Sequence, residues 1–364
     1  MDLMSITLIV RWLLGWGLMW RLPRLPDLQV IDAPKVSVLI PARNEALTLP
    51  HLLTALKQQT FQPDEIIVID DQSVDATAQI AQQAGVKVVQ TKPLPSDWTG
   101  KNWALKTGYA ASSGDILVFL DADTEPAPDM LRRLVATVQA LGGLVSVQPY
   151  HRTEKPYEQL ALLFNLVGLM AIKLGAGGGV AFGPAMATSK TDYERVGGHD
   201  AVAGYVVEDW FIAHLYERAV LPASAYMGHG HLNYRMYPGG IGDLVDGFSK
   251  NFATAAGQVS WVRMLAVVLW LSALFWAAWC LPASLFGWPI VGNPSLLYGV
   301  VLYLAFAIQL AIITRPVGSF GLTAFCFPIP VAFFMAVFVL AILNLERGQI
   351  EWKGRTISTR WQGE

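Results

Sequence analysis

The sequence predicts an α/β domain built on a mostly parallel sheet and carried between apolar helices at its two ends. From Lys35 to about residue 150, short Val/Ile/Leu runs alternate with segments of helical period. Those runs are apolar throughout, as strands covered on both faces are, and this favours parallel pairing with helical crossovers. A content of 53% hydrophobic residues, with mean hydropathy +0.40, is too high for an ordinary soluble chain of 364 residues, so contact with a lipid bilayer is expected. The net charge of −2 leaves no basic surplus for a phosphate backbone, which disfavours general nucleic-acid binding. Cys280 and Cys326 both lie in apolar runs and are expected to be buried thiols, not members of a disulfide or zinc framework.

Residues 1–25 hold the apolar stretch "LMSITLIVRWLLGWGLMW", interrupted by Arg11 and followed by Arg21 and Arg24. Its length suits a short anchor or interfacial helix; a cleaved signal is disfavoured because no small-residue cleavage site follows. The arginines place the next domain, residues 35–260, in the cytoplasm. There "VSVLIPA", "EIIVIDD", "VKVVQT" and "DILVFLDAD" read as four strands. The helix between the first two carries Leu49, Leu52, Leu53 and Leu56 on one face, and the next helix ends at Gly85. Residues 160–183 are apolar, yet Lys173 and several glycines make them a poor span; a membrane-leaning helix and loop of this domain is expected. In 261–345, the stretches 262–287 and 294–314 are candidate spans. The stretch 321–345 contains Pro328 and Pro330 and precedes a basic tail, 346–364. A third full crossing would put that tail opposite the α/β domain, against the positive-inside rule. The stretch is therefore expected to be re-entrant or interfacial, broken at its prolines.

Ligands of open parallel sheets bind beyond the carboxyl ends of the strands, and the sequence collects polar residues there. "PARNEA" follows the first strand, Asp70 and Asp71 the second, Asp121 and Asp123 the fourth. An Asp-x-Asp at a strand end suits Mg²⁺ or Mn²⁺, whose hard oxygen ligands leave coordination positions open for substrate phosphates. Two acids in a surface turn are the bland explanation of the same tripeptide. Glu208 and Asp209 stand together in "AGYVVEDWFIAHLYERAV", where adjacent like charges raise one carboxyl's pKa; acids in a helix's first turn also simply favour its dipole. His229 and His231 form a His-x-His pair with no third ligand nearby, which disfavours zinc. No Gly-x-Gly-x-x-Gly follows the first strand, which disfavours a dinucleotide-dependent oxidoreductase.

Taken in order, "VSVLIPARNEA", "IIVIDDQSVDAT" and "ILVFLDADTEP" closely resemble glycosyltransferase family 2, the inverting enzymes of GT-A fold that use nucleotide-sugars. The resemblance spans roughly residues 36–260. It implies that Pro41, Ala42 and Glu45 border the nucleoside, that Asp71 accepts a hydrogen bond from the base with Asp70 beside it, and that Lys101 and Asn102 of "WTGKNWALKTG" lie over the nucleotide and sugar. Lys101 would offset diphosphate charge, although a solvated loop lysine explains it nearly as well. The resemblance further implies that Asp121 and Asp123 position a divalent metal, Mn²⁺ or Mg²⁺, on the diphosphate, with Asp209 as general base beside Glu208. "GAGGGVAFGPAMATSKTDYERVGGHD" is similar to the family's acceptor-side loop, and Arg235, Tyr237 and Lys250 are candidates for the diphosphate or acceptor.

The processive members' Gln-x-x-Arg-Trp motif is missing after the Glu-Asp pair, which argues against a polysaccharide synthase. "WTGKNWA" and "RMYPGG" with "GFSKNFATAAG" look most like the membrane-bound subgroup of 4,4'-diaponeurosporenoate glycosyltransferases, which glucosylate a carotenoid acid. The expected activity is therefore transfer of a single glucose from UDP-glucose to a lipophilic acceptor such as a carotenoid, hopanoid or other lipid. The enzyme would be multi-pass in the cytoplasmic membrane, with its catalytic domain in the cytoplasm. A polyprenyl-phosphate sugar transferase is the enzyme alternative, and a non-catalytic membrane protein that binds or transports nucleotide-sugars is the other; against the latter, the spans lack paired internal charges.

Overall fold

Val36–Ala42 forms β1, in which Val36, Val38 and Ile40 point to one face of the sheet and Leu39 to the other, all buried. The strands after it are β2 (Glu65–Asp70), β3 (Lys87–Gln90), β4 (Ile116–Leu120), β5 (Thr124–Pro126), β6 (Leu144–Gln148), β7 (Tyr150–His151), β8 (Ala185–Ser189), β9 (Ala223–Met227) and β10 (Leu232–Tyr234). The computed structural model describes residues 3–20, 22–205, 207–255, 260–288, 295–347, 349–352 and 355–358. It divides into two units: residues 22–151 with 173–235, and residues 1–21, 152–172 and 236–364.

The first unit is an α/β domain whose seven-stranded sheet runs in the order β3-β2-β1-β4-β8-β6-β9. β1 pairs in parallel with both β2 and β4, and β2 with β3; the antiparallel strand is β8, between β4 and β6. One face is covered by the Leu49–Lys57 helix, with Leu49, Leu52, Leu53 and Leu56 buried as their spacing requires, and by the Met130–Leu141 helix. The other is covered by the helices Gly100–Ala110 and Glu208–Arg218 through Ala104, Leu105, Ile212, Ala213 and Tyr216. This two-faced cover explains the unbroken apolar runs of β1 and β4. β3, at the edge, departs from it: Lys87 and Gln90 are exposed, because one flank has no neighbouring strand. At the opposite edge β9 is fully buried, and its free flank is capped by Met227 N–H on Pro23 O (2.8 Å) and Gly175 N–H on Ala225 O (2.9 Å). A smaller sheet, β5-β10-β7, lies beyond β4.

The second unit is built from apolar helices. Trp261–Phe286 and Leu296–Ile313 are long and apolar enough to cross a membrane, at about 39 and 27 Å. The Leu3–Leu18 helix packs antiparallel along the first of them: Arg11 bonds Ser272 while Gly15, one turn on, meets Trp270. A polar knot joins all three helices, since Trp270 Nε1 donates to Gln309 Oε1 (3.0 Å), Gln309 Nε2 donates to Trp12 O (2.7 Å) and Trp12 Nε1 donates to Ala305 O (3.1 Å). Exposed Trp20 and Trp261 mark one end of this bundle, and Trp279 stacked on Trp288 (5.2 Å) marks the other. Trp261 and Trp279 stand about 27 Å apart along their helix, the spacing of aromatic belts at the two faces of a bilayer. A Cβ at Gly15 would collide with the Trp270 indole and the Gln309 amide. Gly15→Leu is therefore expected to detach the first helix at a cost of about 1–3 kcal/mol, read as a lowered Tm in detergent.

Three expectations change here. Residues 152–172, including the Leu162–Ala171 helix, belong to the apolar unit and not to the α/β domain. Phe164 stacks on Phe248 (4.2 Å) and lies 4.9 Å from Phe334, because an apolar helix without a polar face needs cover on all sides. The 321–345 stretch is a 3₁₀ segment, Gly321–Cys326, followed by an uninterrupted Pro328–Arg347 helix; its prolines sit in the first turn, where a missing N–H costs no hydrogen bond. Cys280 is buried as expected, whereas Cys326 is exposed, since the three-residue turn of that segment aims Ala324 and Phe327 inward and Cys326 outward. Within the tail, Gln349–Trp352 pairs antiparallel with Arg355–Ser358.

Candidate active site

The order β3-β2-β1-β4 places the switch in strand order at the carboxyl ends of β1 and β4, and the motif residues gather there. Asp71 lies on the floor, 4% exposed, with its N–H on Ala42 O (2.8 Å). Its Oδ1 accepts from Thr91 Oγ1 (3.1 Å), and Arg43 donates to its backbone carbonyl (2.8 Å) from 3.8 Å off Oδ2. Neither Arg43 nor Thr91 stood out in the sequence, although Arg43 lies inside "PARNEA". Asp70 is buried and braces the turn after β2 by accepting Ser73 N–H (3.2 Å). Pro41 and Ala42 end β1, and Glu45 opens the next loop, its N–H on Thr77 Oγ1 (2.8 Å) and its carboxylate on the Thr48 hydroxyl (2.7 Å).

Thr99 caps the Gly100–Ala110 helix and sets Lys101 in its first turn. The ammonium stands among three carboxylate oxygens: Asp121 Oδ1 (2.9 Å), Asp121 Oδ2 (3.1 Å) and Glu208 Oε1 (2.9 Å). Burial works to lower the Lys101 pKa, but the two carboxylates outweigh it and hold the amine firmly protonated. Burial likewise works to raise Glu208, and the Lys101 charge pulls it below the ordinary carboxylate value. Asp123 follows in the half-buried turn between β4 and β5.

Asp209, next to Glu208 in the first turn of its helix, is held through both oxygens: Oδ2 accepts Gly183 N–H (2.9 Å) and Oδ1 accepts Trp210 N–H (2.9 Å). Burial, reinforced by the Glu208 charge, pushes its pKa up to about 6 against the opposing pull of Lys101 and the two amides. A carboxylate with that pKa and a fixed orientation suits proton abstraction near neutral pH. Gly183 comes close to the whole cluster, for a Cβ there would lie 3.0 Å from Lys101 Nζ and 3.3 Å from Glu208 Oε1. The glycine-rich loop read from sequence thus contributes a backbone amide to Asp209.

The structure gives Asn102 a different task from the one its motif implies. It is fully buried, and Nδ2 donates to the carbonyls of Val202 (2.6 Å), Ala203 (3.1 Å) and Tyr205 (3.1 Å), tying the Lys101 helix to the segment before Glu208. Arg235 closes the α/β unit, while Tyr237 and Lys250 belong to the apolar one. The Tyr237 carbonyl accepts from Tyr157 (2.9 Å), and the Lys250 side chain lies outside the described residues. His229 and His231 are separated in use: the first packs its ring at a tilt against Tyr150 (4.7 Å between centroids) and the second pairs with Asp129 (3.1 Å). Among the described residues no cluster of three His, Cys, Asp or Glu is assembled for a metal.

His199, behind the cluster, was not foreseen. Its N–H donates to the Tyr193 hydroxyl (3.0 Å), which leaves that hydroxyl's hydrogen for His199 Nδ1 (2.7 Å). Burial pushes the imidazole down to about 4, with nearby Glu208 and Asp200 opposing and Lys101 adding to the effect. The unfolded chain binds a proton here near pH 6.5, whereas the fold resists it until about 4. Stability is therefore full above pH 6.5 and falls as pH drops toward 4, by about 3 kcal/mol for this group. Unfolding measured across that range should show a shallower pH slope in His199→Gln.

The family model described as Glycosyl transferase family 2 matches residues 37–181. Two relatives are both named 4,4'-diaponeurosporenoate glycosyltransferase. The one from Staphylococcus haemolyticus (strain JCSC1435) is 32% identical over 343 residues, covering 89% of each chain. The one from Staphylococcus aureus (strain USA300) is 33% identical over 338 residues, covering 89% of this chain and 88% of the relative. Among solved structures, the mannosyltransferase PcManGT from Pyrobaculum calidifontis, in complex with GDP-Man and Mn²⁺, shares the fold with a TM-score of 0.50 at 18% identity, over 93% of this chain and 95% of that one. With such identity over nearly its whole length, the chain belongs to glycosyltransferase family 2, in a membrane-associated subgroup, and is a glycosyltransferase of GT-A fold.

Proposed function

We propose that this enzyme transfers one glucose, with inversion, from UDP-glucose to a lipophilic acceptor of the carotenoid-acid type. The observation that carries the reading is the cluster at the switch point: Lys101, Asp121 and Glu208 in mutual contact, beside an Asp209 fixed by two amides. The names of the relatives support the acceptor class.

Asp71, on the floor next to Ala42, takes the base, and Asp121 and Asp123 hold a divalent cation together with the donor's diphosphate. The site suits such an ion: it already concentrates three carboxylate oxygens around one positive charge, that of Lys101. One or two carboxylates plus substrate phosphates is a usual way to hold Mg²⁺ or Mn²⁺. When bound, the metal supplies charge neutralisation on the leaving diphosphate. Asp209 acts on the opposite side of the sugar: it removes the proton of a hydroxyl acceptor, or orients a carboxylate acceptor, which is already a nucleophile. The apolar unit, with its two long helices and terminal tryptophans, seats the enzyme in the cytoplasmic membrane with the α/β domain on the cytoplasmic side.

The test is transfer from UDP-glucose to separate carotenoid acids, carotenoid alcohols, hopanoids and polyprenyl phosphates, with the product anomer read by NMR. A β-glucosyl carotenoid acid is the expected product. An α-linked product sinks the inverting mechanism, and exclusive use of polyprenyl phosphate sinks the acceptor class.

A further inference from the structure

Lys101 is paired with a carboxylate, Asp121, that would hold the metal ion. Its Nζ contacts both oxygens of Asp121 and one of Glu208, so an ammonium already sits on the carboxylate that the proposed function gives to a divalent cation. A divalent ion held by Asp121 would compete with the ammonium for those carboxylate oxygens. The backbone under Lys101 is immobilised, because Asn102 is tied to three carbonyls and the helix start is capped by Thr99. The side chain is not: it is 31% exposed, and four methylenes give it reach. Gly183 itself puts no Cβ against the ammonium, where one would lie 3.0 Å from Nζ.

We propose that Lys101 is a displaceable counter-ion, which fills the cation position when no metal is bound and, once expelled, moves onto the diphosphate that arrives with the metal. The inference rests on the metal-dependent reading above and extends it. Without Lys101 in the cleft, Asp121 and Glu208 would confront each other unneutralised before the donor arrives. With Lys101 there, metal and nucleotide favour each other's binding, since the expelled ammonium needs the phosphates that only the nucleotide brings.

Mn²⁺ affinity of the full chain in detergent, read by EPR without nucleotide, tests this. Lys101→Met should bind Mn²⁺ about tenfold or more tightly than the parent, whereas Arg43→Met, which removes an equal charge at the same sheet edge without vacating Asp121, should change it by less than about threefold. Equal effects of the two variants, or no effect of Lys101→Met on Mn²⁺ that does bind, would overturn the counter-ion role alone. Absence of Mn²⁺ binding in both the parent and Lys101→Met would overturn it together with the metal role. Should Lys101→Met fail to fold, amine-directed labelling of the unmodified enzyme decides the question by peptide mass spectrometry. Mn²⁺ alone should increase labelling of Lys101 and added UDP should reduce it, and labelling indifferent to Mn²⁺ would refute the displacement.

Discussion

Asp209→Asn is expected to lower transfer to a hydroxyl acceptor by about 10²–10⁴-fold while leaving UDP-glucose affinity within about twofold. The amide still accepts one of the two backbone hydrogen bonds from Gly183 and Trp210, so the site stays assembled and only the capacity to take a proton is lost. The pH dependence carries the same information. With a pKa pushed up to about 6 by burial and by Glu208, Asp209 is protonated below that pH and ionised above it. Transfer to an alcohol should therefore climb through pH 6 to a plateau, and the step should vanish in the variant. A carboxylate acceptor reverses the argument, because it needs no base and is repelled by an ionised Asp209. For a carotenoid acid, Asp209→Asn should cost less than about tenfold, and the rate should not rise through pH 6. One variant and two acceptors thus separate proton abstraction from orientation.

Asp121→Asn should reduce transfer by about 10³-fold with either acceptor, since it touches the leaving group and not the nucleophile. The expected pattern is a kcat loss, weakened Mn²⁺ binding and a retained fold. Lys101 keeps Glu208 as a partner at 2.9 Å, so no buried charge is left unpaired. EDTA should abolish activity in the parent enzyme and Mn²⁺ restore it; full activity in EDTA would exclude the metal role assigned to Asp121 and Asp123. Circular dichroism and unfolding of Asp121→Asn distinguish a catalytic loss from a structural one.

Sequence disclosed most of what lies within a few residues of a strand end. The apolar runs of β1, β2 and β4 and the acids that follow them are local patterns, and the structure sets Ala42, Asp71 and Asp121 at neighbouring carboxyl ends. What it did not disclose depends on contacts between distant segments. Asn102 looks like a ligand-facing residue from its motif, and its burial against Val202, Ala203 and Tyr205 is visible only once the two segments meet. The Gly183 amide that holds Asp209, and the His199–Tyr193 pair behind the cluster, are invisible for the same reason. Residues 160–171 show the limit of hydrophobicity as a signal, since their apolar character says they need cover without saying which core supplies it.

Transfer of sugar to a lipid by the cluster around Asp121 is open to a direct assay. Membranes containing the enzyme, incubated with radiolabelled UDP-glucose, Mn²⁺ and a carotenoid acid, test it most directly, with the organic extract separated by chromatography. Label is expected in a carotenoid glucosyl ester formed by the unmodified enzyme and missing in Asp121→Asn. Label that appears only as free glucose, or in the lipid with Asp121→Asn as readily as without the substitution, would contradict it.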